Sequence, residues 1–401
     1  MKKLSFYLNA AAALMFAFTT TAGLFSCAEN GDNPVDPEEP VLPVDPNTIH
    51  DGDDLVQIVA DATAQAIING DDEVLVVLPA GVKLIQTETI ESHKPLTIMG
   101  DADAPAQIAL AGGYSPADNL ILTNLVYDAA GVGVPFIALN ETPNAASQNA
   151  NGGTSGCYFI SNILLDNVVV NDIKGTIIYD NKVKYCVEDL TINNSILRLA
   201  TEDKSALKDK AWIAFYNGGG VKDLTISNST VYQVSTTLNS GDPAQGDEDT
   251  YFLRYSNNTR LDRMGYDKNT ETQSVNYLNN TFYYVANKGQ FGNYQNMTAQ
   301  KYQVFVVKNN IFCECGSGQV PRRILNGAAL NRFSADCVLN NNTYWFTAEG
   351  QPVGAAETGN SSYDNGYQLA TDPDFVAPGV DFTPQGAEQQ SLGTGDPRWL
   401  N

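Results

Sequence analysis

Histidine is almost missing from this chain: His50 and His93 are the only two in 401 residues. Without more of them, the close pair in Cys313-Glu314-Cys315 lacks the partners of a structural metal site. Positive charge is scarce as well, with 23 Lys and Arg against 46 Asp and Glu and a net charge of −23. A field of that sign disfavours DNA, RNA and anionic lipid surfaces, so no nucleic-acid partner is expected. It also repels a polyanionic glycan wherever no cation or local basic patch intervenes. Helical stretches are missing between the apolar runs of the central chain, which excludes alternating βαβ units. The apolar run from Ala10 to Phe18 is too short to cross a bilayer.

That run sits in an export signal. Lys2 and Lys3 give a basic start, residues 19–26 are largely small, and Cys27 follows directly. Leu24-Phe25-Ser26-Cys27 resembles a bacterial lipobox, which implies acylation of Cys27 and removal of residues 1–26. Each buried methylene of such an anchor contributes about 0.8 kcal/mol of membrane attachment. Ala28 after the cysteine favours the outer membrane in lipoproteins of this kind. With Cys27 lipidated, Cys157, Cys186, Cys313, Cys315 and Cys337 form an odd, scattered set. They read as small core residues and not as a disulfide framework. Pro34, Pro37, Pro40, Pro43 and Pro46 alternate with acids, so residues 27–53 read as a stiff, solvated tether. The folded domain is expected over residues 54–401.

Within that domain a short alternating motif ending in asparagine recurs. It stands as Leu165-Asp166-Asn167, Leu190-Thr191-Ile192-Asn193-Asn194, Leu224-Thr225-Ile226-Ser227-Asn228, Leu278-Asn279-Asn280, Val307-Lys308-Asn309 and Leu339-Asn340-Asn341. Taking Asn167, Asn194, Asn228, Asn280, Asn309 and Asn341 as equivalent, the steps are 27, 34, 52, 29 and 32 residues, with the register of the last three open by one. Period-2 alternation means strands, and a spacing of this size means stacked supersecondary units. One short strand cannot bury its own apolar face, whereas stacked coils can. The asparagines fit a tight bend, and their amides can bond to one another as a buried ladder. Upstream, Asp54 and Gln57 form a capping-box pattern, Leu55, Ile58, Val59, Ala62, Ala66 and Ile67 share a helical face, and Asn69-Gly70 closes it. Val74 to Leu78 reads as a buried strand, and Leu96 to Gly100 as a strand and turn. The expected fold is an all-β, right-handed parallel β-helix with an N-terminal capping helix over its open edge.

Residues 71–100 resemble the first coil of the pectin-lyase-like β-helix superfamily. The tail Asp372-Pro373-Asp374-Phe375, Asp381-Phe382 and Gly395-Asp396-Pro397-Arg398-Trp399 is similar to the C-terminal segment of Bacteroidetes lipoproteins in that superfamily. Those proteins carry domains of unknown function linked to polysaccharide utilisation, which implies a polysaccharide partner and an outer-membrane glycan-uptake complex. Two interruptions of the coils offer sites. One is Asn144 to Gly156. The other, Gly241 to Asn269, holds Tyr251, Arg254, Tyr255, Arg260, Arg263 and Tyr266, a basic and aromatic group suited to sugar rings and carboxylates. Asp247, Glu248 and Asp249 beside it offer an alternative role for its arginines, as surface ion pairs.

The resemblance also implies a rival reading, a polysaccharide lyase acting by β-elimination, with Lys308, Arg322 or Arg323 as base and Arg332 nearby. A non-glycan structural or adhesive surface protein is a third. The hydrolytic members of the superfamily use clustered aspartates with a histidine, and no Asp-Asp pair is apparent in the central coils. Asp-rich turns at residues 51–54, 70–72 and 101–103 offer calcium-type ligands but lack the spacing of a calcium loop. Turn chemistry accounts for them, so no metal or cofactor is expected.

Overall fold

The structure, a computed structural model, describes residues 48–400 except 149–156, 202–203, 217, 234–249, 256–259, 288, 295–299, 326, 349–350, 354–362 and 365. The leader, Cys27, most of the tether, and Asp247 to Asp249 lie outside the described residues, as does most of each sequence-predicted loop tip.

The first described element is helix α1, Leu55–Asn69. Asp54 caps it by accepting from the Val56 amide, and Gly70, at φ 74°, closes it in the left-handed conformation. The expected capping box does not form, because Gln57 donates to Asp61 one turn on. The Asp54 carboxylate instead also binds the amide and hydroxyl of Thr87, which ties the helix start to the first strands. Leu55, Ile58, Val59, Ala62 and Ala66 are buried as expected, whereas Ile67 faces solvent.

Beyond α1 the chain is built of short parallel strands in a solenoid-like arrangement. An 18-stranded sheet and a 7-stranded sheet hold nearly all of them. The larger sheet falls into two rows. The first contains Leu96–Met99, Tyr185–Asn193, Gly220–Ser227, Gln273–Leu278 and Gln303–Lys308. The second contains Ala106–Leu110, Ile196–Leu199, Thr230–Gln233, Thr281–Tyr283 and Ile311–Cys313. The long strands Leu120–Asp128 and Tyr158–Ile173 bend and join both rows. The 7-stranded sheet is the third row: Ile90–Ser92, Tyr114–Pro116, Ile137–Ala138, Ile178–Tyr179, Ala211–Phe215, Tyr251–Tyr255 and Gln290–Tyr294. Each strand pairs in parallel with its counterpart in the next repeat, as Leu190 with Leu224 and Leu224 with Val275. Inward aliphatics therefore stack about 4.8 Å apart into one continuous core, as the repeat predicts.

The bend between the first two rows explains the asparagines. Asn124, Asn167, Asn194, Asn228, Asn279, Asn309 and Asn341 all lie at φ between 48° and 57°, a region that asparagine tolerates better than other residues with a side chain. Their amides link successive repeats: Asn167 donates to Asn124 (2.9 Å), Asn279 to Asn228 (3.1 Å), Asn309 to Asn279 (2.9 Å) and Asn341 to Asn309 (2.8 Å). This outer ladder starts one repeat earlier than the sequence suggests, and its fourth Asn step falls on Asn279, not Asn280. Asn280 belongs to a second ladder one residue on, wholly buried, in which Ser195, Ser229, Asn280, Asn310 and Asn342 accept backbone amides from the repeat before. One predicted buried ladder is two, because the bend presents one side chain to its rim and the next to the core.

One further expectation changes. Val74–Val77 is not buried on both faces: Val74 and Val76 face the core, while Leu75 and Val77 are 49% and 46% exposed. The C-terminal tail folds back across the second row. Asp396 accepts from the Thr230 hydroxyl (2.7 Å), Arg398 reaches Asn194, and the Trp399 indole donates to Thr230. Gly395 passes so close to the strands that a Cβ there would lie 2.9 Å from Ile311 Cδ1. Cys157, Cys186, Cys313 and Cys315 are buried thiols and Cys337 is half-buried, none in a disulfide.

Candidate functional site

The third row carries a cleft of about 410 Å³ on its outer face. Its floor comes from Ser115, Ala138 and Tyr179 on three neighbouring strands, and its rim from Glu141, Lys182 and Lys208. The register aligns Tyr179 with Ala138 on one side and Ala214 on the other, and Ala214 with Arg254. Arg254 thus stands two strands from Tyr179, roughly 10 Å along the same face. Tyr179, Ala211, Ala214 and Tyr251 pack as one buried apolar patch between them.

Arg254 is held between two rings, with its guanidinium carbon 3.7 Å from the Tyr216 centroid and 4.8 Å from that of Tyr251. One of its terminal nitrogens donates to the Asp209 carbonyl (2.5 Å). Lys182 and Lys208 are exposed at the rim and form no ion pair among the described residues. In a chain of net charge −23 they make this face a local exception. Burial, together with the charges of Asp209, Asp180 and Glu141, pushes the Tyr179 phenol up to about 12, so it is neutral and able to donate a hydrogen bond at physiological pH.

The turns that bring these groups to the cleft are strained. Asn181 and Lys182 lie at φ 52° and 62°, and Asp209 and Lys210 at 49° and 59°, two consecutive non-glycine pairs in the left-handed region. Such pairs cost on the order of 1–2 kcal/mol per residue and persist only where the surroundings fix them.

The six residues expected to contact glycan do not come together. Tyr251 and Arg254 join the cleft face. Tyr255, next in the strand, points into the core and packs edge-on against Phe215. Arg260 is committed to Asp262 in a two-pronged pair at 2.9 and 3.0 Å. Arg263 is exposed on the single-turn helix α2, Leu261–Met264. Tyr266 packs on the first row instead, against Phe159 and under the Lys222 ammonium, 4.7 Å from its ring. Sequence proximity grouped them, but a strand that alternates faces and then turns a corner scatters its neighbours.

The basic residues of the lyase reading are also apart. Lys308 ends a first-row strand, half-exposed and aligned with Leu278 and Asn340. Arg322 and Arg323 sit on helix α3, Val320–Ile324, which packs against Gln290–Tyr294 of the third row. Arg332 lies in a separate single turn, Leu330–Arg332.

Sequence reasoning also missed residues. Tyr179, Lys182 and Lys208 lie in segments with no visible motif. Asp189 and Asp223, in contrast, are direct cross-strand neighbours facing outward on the first row, contrary to the expectation of no paired aspartates. Their signal was in plain view as Asp189-Leu190-Thr191-Ile192 and Asp223-Leu224-Thr225-Ile226, a tetrapeptide repeated 34 residues apart. Asp223 accepts the Ser274 hydroxyl at 2.6 Å. Among the described residues no group of three or more His, Cys, Asp and Glu side chains is arranged to hold a metal. The Asp101 carboxylate caps its own turn by accepting from Asp103 and Ala104, as turn chemistry predicts.

Residues 86–234 match the profile of a domain of unknown function, DUF4957. The matched span contains Tyr179, Lys182 and Lys208 and stops before Arg254. No curated protein and no solved structure matches the chain. No helix among the described residues is long and apolar enough to cross a membrane.

Proposed function

We propose that this chain is an exported lipoprotein, acylated at Cys27 and held at the outer membrane, whose right-handed parallel β-helix binds a uronate-containing polysaccharide. Three rows of parallel strands recurring in fixed order, joined by a polar ladder at one bend, support the β-helix and its kinship with the pectin-lyase-like superfamily. The observation that carries the functional reading is the cleft of the third row. An aromatic floor and two lysines that form no ion pair among the described residues gather there, with a ring-clasped arginine two strands along the same face, on an otherwise acidic protein. Pyranose rings present apolar faces to tyrosine, and their carboxylates match lysine and arginine. A pocket a few hundred Å³ in size with a few convergent polar groups is the usual form of a small-ligand site.

Affinity electrophoresis against a panel of neutral and uronate-containing polysaccharides tests this. The wild type is expected to be retarded by at least one uronate polymer, and Lys182→Ala with Lys208→Ala together to lose most of that retardation. Free migration through every uronate polymer would end the reading. Incorporation of labelled fatty acid, abolished by Cys27→Ser, tests the anchor separately.

A further inference from the structure

Asp180, the residue that follows the cleft strand Ile178–Tyr179, is a carboxylate facing away from solvent. Its side chain is buried, yet among the described residues it has no cationic partner; it accepts three backbone amides instead. One carboxylate oxygen takes the Lys182 amide (3.1 Å), and the other takes those of Gly218 (3.1 Å) and Gly219 (2.9 Å). These bonds join two loops of different repeats. The fit is tight: a Cβ on Gly218 would lie 2.6 Å from the Val183 carbonyl oxygen and 2.7 Å from the Lys182 carbonyl, and one on Gly219 3.1 Å from Asp180 Cβ. Only glycine lets the second loop approach the first this closely. The Lys182 amide that Asp180 holds belongs to the residue at φ 62°, so the bond fixes a conformation the chain does not favour on its own.

We infer that Asp180 is the positioning residue of the cleft, presetting the Asn181–Lys182 turn so that the Lys182 ammonium and the Tyr179 ring meet a ligand already in place. The inference rests on the polysaccharide reading for its purpose but not for its geometry. A buried carboxylate without a counter-ion is costly to keep. Three amides aimed at it offset that cost here, and the rigidity they give removes an ordering penalty from binding.

Two measurements on the full chain test it. Backbone hydrogen exchange of Asp180→Ala should show protection at Lys182, Gly218 and Gly219 falling at least tenfold, with the core amides of Val170 and Leu197 unchanged. Unchanged protection at those three amides would overturn the inference, whatever the protein binds. In retardation by a uronate polymer, Lys182→Ala should weaken binding about tenfold in the wild type and less than twofold in Asp180→Ala, because the lysine is no longer held. A merely structural Asp180 would leave the Lys182→Ala effect at full size in both backgrounds, and that result also overturns the inference. Asp180→Asn keeps one acceptor oxygen and should fall between; if Asp180→Ala does not fold, the same two measurements are read on Asp180→Asn. Loss of amide protection in a protein that no polymer retards would sink the polysaccharide reading and leave the positioning of the turn supported.

Discussion

The solenoid turns its corners in two different ways. From Asn124 on, one asparagine in the left-handed conformation makes each bend between the first and second rows, and from Ser195 on a serine or asparagine one residue later accepts a backbone amide from the repeat before. Around the third row the connections differ in length from repeat to repeat. Ile196–Leu199 reaches Ala211–Phe215 through eleven residues, whereas Ala106–Leu110 reaches Tyr114–Pro116 through three. The regular corner satisfies buried polar groups and carries no cleft. The irregular one carries the cleft, the strained pairs and the clasped arginine. Stability and binding are therefore built at different corners, and substitutions at each should affect one and spare the other.

The largest effect should come from breaking the inner ladder. Asn310 accepts from the backbone and side-chain amides of Asn280 and donates to the Tyr277 carbonyl and to Asn342. Asn310→Ala leaves several buried partners unpaired, each worth about 1–3 kcal/mol, so a loss of about 4 kcal/mol is expected in urea unfolding. A loss below 1 kcal/mol would mean that water replaces the ladder and that this corner is not where stability resides. Next in size is the opposite corner. Lys208→Ala should reduce retardation by a uronate polymer about tenfold, about 1.4 kcal/mol, while the unfolding midpoint moves little because its side chain is exposed at the cleft rim. A tenfold loss of retardation from Asn310→Ala in the folded protein would blur the division between the corners.

How far each corner could be read in advance follows the same division. The ladders leave a period in the sequence because each repeat from Asn124 on needs asparagine at the left-handed position of the bend, with serine or asparagine beside it from Ser195 on, and Asn167, Asn194 and Asn228 follow from that period alone. The one-residue ambiguity at Asn279-Asn280 had a physical origin: two adjacent asparagines serve two ladders, and only φ separates them. Helix α1 was legible from its apolar spacing and terminal glycine, although Ile67 fell on the wrong face. The cleft was not legible. Tyr179, Lys182 and Lys208 converge through strand register and loop packing across some thirty residues, and each stands alone in the sequence. Tyr251 and Arg254 were singled out as aromatic and basic neighbours, and that criterion cannot tell them from Tyr255, which the alternation of the same strand turns inward.

A smaller effect separates the two ladders within the regular corner. Asn228, at φ 50°, is on the outer ladder and half-exposed. Asn228→Ala must hold a left-handed backbone without the side chain that eases it and should cost about 1–2 kcal/mol. Asn228→Gly, which adopts that conformation freely, should cost less than Asn228→Ala. The opposite order would mean that the amide bonds, and not the backbone conformation, select asparagine at the rim.

The smallest effect is a pH dependence belonging to the molecule as a whole. Burial raises the carboxyls of Asp180, Glu314, Asp364 and Asp396 above their ordinary values of 3.8 and 4.5, against hydrogen bonds that pull the other way. A carboxyl whose pKa is higher in the folded than in the unfolded chain binds its proton more tightly when folded. Between the two values the folded state carries more protons, so stability rises as pH falls through that window and declines as pH rises through it. Relief of repulsion in so acidic a chain acts in the same direction. The melting midpoint should therefore climb as pH falls toward the ordinary carboxyl range, and Asp364→Asn should flatten the climb by removing one titrating group. Tyr344, whose hydroxyl donates to Asp364 at 2.7 Å, keeps an acceptor in that variant, so a change of slope with little change of midpoint at low pH is the result to look for. A midpoint that falls steadily as pH drops through that window would mean that carboxylates held ionised by their bonds outweigh those raised by burial, and the amides around Asp180 would then contribute more to folding than the cost of burying it.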